Sequence, residues 1–72
     1  MIHEYAIVRL KRSSPSVPLP GGTKGTVLIV HKSTPAAYEV EFVDESGRFK
    51  GVYTVHEDDV EVAKPNRNNE SA

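Results

Sequence analysis

Gly25-Thr-Val-Leu-Ile-Val30 and Ala37-Tyr-Glu-Val-Glu-Phe-Val43 read together as one hairpin. In the second stretch Tyr38, Val40 and Phe42 point one way, Glu39 and Glu41 the other. Strict alternation of apolar and acidic side chains marks a strand with one face buried and one in water. The first stretch is less easily read, because Val27, Leu28, Ile29 and Val30 are all apolar. Such a run fits a strand covered on both faces, or one bent by a bulge. Ser33-Thr-Pro35 turns the chain between the two.

Outward from this hairpin the chain supplies three more short strands. Tyr5–Lys11 opens it, with Ala6, Val8 and Leu10 on one face. The connection from Arg12 to Lys24 holds Pro15, Pro18, Pro20, Gly21 and Gly22, which rule out a helix or a central strand. Its apolar members Val17 and Leu19 are expected to fold back over one end of the core. After the hairpin, Asp44-Glu-Ser-Gly47-Arg is a turn signal, with Gly47 suited to a left-handed position in a bulged hairpin. Phe49–Val55 forms the fourth strand, with Phe49, Gly51, Tyr53 and Val55 sharing a face and Gly51 marking a kink. His56-Glu-Asp-Asp59 reads as a single 3₁₀ turn before a short last strand, Val60–Ala63. The expected core is Val8, Leu10, Val27, Val40, Phe42, Phe49 and Val60. The expectation is one all-β domain, a five-stranded small barrel over residues 1–64, followed by a disordered polar tail over residues 65–72.

Bulk properties bound the rest. A chain of 72 residues has a thin core, burying only about 60% of its unfolded surface. It has no cysteine, so neither disulfides nor thiolate metal sites can staple it. The apolar run Val27–Val30 falls far short of the roughly 20 residues that span a bilayer. Glu4 and Arg9 interrupt any signal-peptide pattern, so the expected location is the cytoplasm, with no membrane partner. Net charge is −1, which argues against a general polyanion binder. The halves differ: residues 1–38 carry five basic and one acidic side chain, residues 39–72 four basic and nine acidic.

Five strands, a long first connection and a 3₁₀ turn before the last strand describe an SH3-like barrel. Gly25-Thr-Val27, Ala37-Tyr-Glu-Val-Glu-Phe-Val-Asp44 and Glu57-Asp-Asp-Val60 carry a closer resemblance. Together they resemble the small bacterial family catalogued as domain of unknown function 4926, over about residues 3–63. The Ser/Pro-rich first loop and the polar tail depart from that family's pattern, and the resemblance implies no activity. A more distant likeness is to SH3-like accessory subunits of electron-transfer complexes, which share an early basic strand, a Gly-x-Val step and a late acidic turn. Fold likeness of this kind says little about partners.

Few residues offer chemistry. Ser13, Ser14 and Ser16 lie in a Pro-rich loop with no elbow motif and no adjacent base, so no catalysis is expected. His3, His31 and His56 lack metal-ligand spacing and read as surface residues. Glu57, Asp58, Asp59 and Glu61 lack the alternating ligands and glycine of a calcium loop and read as a self-capping turn. No cofactor is expected. Arg12-Ser-Ser-Pro15-Ser-Val-Pro18 fits a basic-x-x-Pro-x-x-Pro peptide, but prolines also stiffen a long connection. The expected function is a non-catalytic module that binds another protein, as an accessory subunit or as a small neutralising, antitoxin-like partner. The expected contact surface is the long loop and the turn after the third strand, through Lys11, Arg12, Lys24, Asp44 and Arg48. The alternative is weak nucleic-acid binding by the basic loop residues, with Tyr5 or Tyr53 stacking on bases.

Overall fold

A computed structural model describes residues 1–63; the expected tail lies outside them. The elements are β1 (Ile7–Leu10), β2 (Lys24–His31), β3 (Ala37–Val43), β4 (Phe49–His56), a 3₁₀ turn (Glu57–Asp59) and β5 (Val60–Val62). All pairings are antiparallel, in the order β4-β3-β2-β1-β5. This confirms the all-β reading and the 3₁₀ turn, and the arrangement is consistent with the SH3-like resemblance. The sheet is not closed, because β4 and β5 are its edges and do not pair with each other. No helix among the described residues is long and apolar enough to cross a membrane.

β3 spans the expected residues, and its alternation is the observed one. Tyr38, Val40 and Phe42 are buried, while Glu39 and Glu41 lie on the outer face. In β2 the register slips between Val27 and Ile29, so Leu28 is the extra residue of a bulge. The bulge reconciles the unbroken apolar run with a one-sided core: Val27 points in, and Ile29 emerges exposed on the outer face. β1 begins two residues later than expected, at Ile7, because Tyr5 takes a left-handed backbone (φ 68°).

Position 25 shows how tightly the sheet curls on itself. Gly25 pairs with Val8 on one side and Phe42 on the other. A side-chain carbon there would come within 2.5 Å of Val40 Cγ1 and 2.9 Å of Phe42 Cδ1. The empty position lets Phe42 lie across the sheet, with its ring centroid 6.2 Å from that of Tyr53.

Six of the seven expected core residues are buried: Val8, Leu10, Val27, Val40, Phe42 and Val60. Phe49 is the exception, at 63% exposure. The cause is a second slip, between Phe42 and Val43, which places Gly51 opposite Phe42 but Phe49 opposite Val43. Lys50 is thus an extra residue, and it turns Phe49 to the outer face while Tyr53 and Val55 stay inside. The core is completed by residues remote in sequence, Ile2 before β1 and Val17 from the long loop, with Leu19 packed against it. Val17 is held by reciprocal backbone bonds with Ser14, both 3.1 Å, and by the Ser14 hydroxyl at 3.1 Å.

Tyr38 is fully buried, yet its hydroxyl is satisfied twice. It accepts the Ile2 amide at 3.1 Å and donates to Glu57 Oε1 at 3.3 Å, tying the start of the chain to the 3₁₀ turn.

Phe42→Ala should cost about 3–5 kcal/mol, enough to unfold a domain this small, whereas Phe49→Ala should cost less than about 1 kcal/mol. Thermal melts of the two variants check the register directly, since equal destabilisation would contradict the bulge at Lys50. Tyr38→Phe should cost about 1–3 kcal/mol by leaving the buried Ile2 amide without an acceptor. Denaturant titration measures this, and an unchanged midpoint would remove the link from the account of stability.

Candidate partner-binding site

The bulge that expels Phe49 completes a row across the outer face of the sheet. The pairings run Phe49, Val43, Lys24, Arg9 and Glu61, from one edge strand to the other. Arg9 and Lys24 are therefore direct cross-strand neighbours of like charge, a placement that costs up to about 1 kcal/mol in a sheet. Two connections rise beside this row. The end of the long loop is pinned by Gly22 N–H to the Leu10 carbonyl (2.6 Å) and Leu10 N–H to the Thr23 carbonyl (2.9 Å). The β3–β4 turn is held by Asp44, whose Oδ1 accepts the amides of Ser46 (2.8 Å) and Arg48 (2.9 Å). Gly47 (φ 84°) takes the left-handed position expected of it.

Between the two connections lies an open groove, floored by Val43 and flanked by Leu19–Lys24 on one side and Asp44–Gly47 on the other, with Arg9 and Lys50 at its margin. Its charge is mixed with a small basic excess, Arg9, Lys24 and Lys50 against Asp44 and Glu45. Asp44 already accepts two backbone amides, whereas Arg9, Lys24 and Lys50 have no carboxylate within 4.0 Å among the described residues. The Arg9 guanidinium donates to the Gly22 carbonyl at 3.0 Å, which fixes it toward the loop.

The residues singled out from the sequence divide between places. Lys24 and Asp44 line this groove. Lys11 and Arg12 line a smaller one with Ser14, Asp58 and Asp59, where Lys11 N–H donates to the Asp59 carbonyl at 2.9 Å. Arg48 is exposed in the β3–β4 turn and lines neither groove. Sequence reasoning missed Arg9 and Lys50 as groove residues, and Phe49 as the exposed end of the row beside it. Arg9 was readable as outward-facing from the alternation of the first strand, but only the register places it beside Lys24.

Other candidates resolve into local structure. His31 Nε2 lies 3.0 Å from Glu39 Oε2, and the Thr54 hydroxyl donates to both Glu39 oxygens (3.0 and 2.9 Å). His56 Nδ1 is 3.0 Å from the Ala36 carbonyl, and Asp59 Oδ2 accepts the His56 amide at 2.8 Å, the self-capping expected of that turn. No group of three or more metal-ligating side chains converges among the described residues. Tyr5 is exposed, whereas Tyr53 is half-buried against the core.

Neither curated proteins nor solved structures offer a match to the chain. A family model does, over residues 4–62, which take in every strand of the described sheet. The chain belongs to the family described as domain of unknown function DUF4926.

Proposed function

We propose that the chain is a non-catalytic interaction module, built as an SH3-like small barrel, that binds another protein in the bacterial cytoplasm. The observation that supports this is the cross-strand pair Arg9 and Lys24, with Lys50 at the groove's margin, beside exposed Phe49 and floored by Val43. A like-charged pair on adjacent strands is unfavourable in the free chain and becomes favourable when an anionic group covers it. The fitting partner is a protein segment with acidic side chains flanking an apolar one. Strands hold the cations rigidly, so little ordering is required on docking. Two settings suit such a module: an accessory subunit of a larger complex, and the small neutralising partner of a toxin-like protein. An oligonucleotide is the competing occupant, and it would show a steeper loss of affinity with salt.

Replacing Lys24 and Lys50 together with Ser should leave the melting temperature nearly unchanged, since exposed charges matter by about 0.5 kcal/mol or less. The same change should slow capture of the native partner by about tenfold or more, through loss of charge attraction. Lys11 and Arg12 replaced together with Ser should leave capture intact. Partner capture from native cells, measured for both double variants by mass spectrometry and surface binding kinetics, checks this. The opposite ranking would move the site to the smaller groove beside Asp58.

A further inference from the structure

The two edges of the sheet are unequal. β5 is three residues long and carries Glu61 at its middle, and a short, charged edge discourages further pairing. β4 is eight residues long, and among the described residues no strand pairs with its outer side. Its first part is guarded by Lys50 and the bulge, but Gly51-Val-Tyr-Thr-Val55 is uncharged, free of proline and rich in β-branched and aromatic side chains. Such an edge is a template for another strand.

The charges at its ends say which strand. Arg48 and Lys50 stand at the start of β4, and Glu57, Asp58 and Asp59 follow its end. The strand is thus polar along its length, basic then acidic. A second copy laid antiparallel places the basic end of each against the acidic end of the other, twice over, about a two-fold axis. A parallel copy would bring like ends together. We propose that the protein self-associates through β4, pairing edge to edge with a second copy of itself to make a continuous ten-stranded sheet.

A register centred on Tyr53 meets the requirements of the pleat. It sets Val52 opposite Thr54 on the outer face and Gly51 opposite Val55 on the inner one, so no side chain changes face. The Tyr53 ring lies over Gly51, where an added side-chain carbon would sit 2.8 Å from Tyr53 Cε2, so the inner side of this edge is already covered. Val52 is half-exposed and gains a neighbour across the new pair. At the ends, the same register sets Lys50 opposite the second copy's His56 and Arg48 beside its 3₁₀ turn, opposite Asp58. Glu57 is engaged by Tyr38 and Asp59 caps His56, which leaves Asp58 as the carboxylate free to answer Arg48. Neither Arg48 nor Asp58 has an ionic partner within 4.0 Å among the described residues. The contact runs for about 25 Å along two strands and is small as interfaces go, so association is weak, of the order of tens of micromolar.

The test is sedimentation equilibrium of the purified full chain from about 10 to about 500 µM, at about 50 mM and about 500 mM salt. A reversible dimer is expected, with a dissociation constant that rises about tenfold at the higher salt. R48E and D58K should each abolish it, because each sets like charges together at both ends of the pair. Mixed in equal amounts the two variants should restore it, since both ends of the mixed pair then match. Circular dichroism confirms that each variant folds; if one does not, R48Q and D58N with a weakened dimer serve the same purpose. A monomer throughout the concentration range overturns the proposal. So does a dimer indifferent to both substitutions, or a mixture that fails to associate when the wild type does. No partner protein enters the measurement, so its outcome is independent of the groove reading above.

Discussion

The fold depends on an absence at position 25. Val8, Gly25 and Phe42 stand in one row across three strands, and the space a side chain would fill above the middle one is taken by Val40 and Phe42. The largest apolar ring in the core therefore lies flat over its neighbour strand instead of standing on its own. This lets a sheet of five short strands curl far enough to bury one face completely, with Ile2 and Val17 closing what the curl leaves open. Stability in so small a domain rests on few contacts, and Phe42 is one of the largest fully buried side chains that make them.

Much of this was legible in the residues. The alternation of 38–42 located β3 to the residue, Gly47 located its turn, and the acidic turn before the last strand was visible in Glu57-Asp-Asp59. Phe49 was misplaced because a strand's phase can be read only until a bulge breaks it. Lys50 breaks it without any marker of its own beyond the glycine that follows. β1 starts later than expected for a related reason, since a left-handed tyrosine at position 5 is uncommon and has no sequence signature. The candidate site was half legible. Loop and turn were expected to be neighbours, and Lys24 and Asp44 are. Lys11 and Arg12 fall elsewhere because β1 stops at Leu10 and the chain turns toward Asp59, a tertiary fact no local pattern contains.

The two bulges do more than correct a register. Each inserts one residue on the strand that flanks β3, and each sends an apolar side chain outward, Ile29 in one case and Phe49 in the other. The outer face of a soluble sheet normally alternates with the inner one and stays polar. Here it carries apolar side chains among the charges, at positions chosen by the backbone. The outer surface thereby acquires an apolar and a cationic side next to each other, the combination that a protein segment can recognise and water alone does not satisfy.

The anchoring of Val17 divides the long first loop into parts with different freedom. Ser14 to Leu19 is anchored to the core through Val17 and Leu19, fastened by its own backbone bonds and by a buried side chain. On one side of that fastening the chain returns to the groove through Pro20–Thr23, and on the other it leaves β1 through Arg12 and Ser13. Chain length added at Arg12–Ser13 would change the smaller, Asp58-side surface while the groove kept its wall. Related chains can thus vary one rim of the molecule without disturbing the other, and a loop that looks like a single variable segment is two, separated by a rivet.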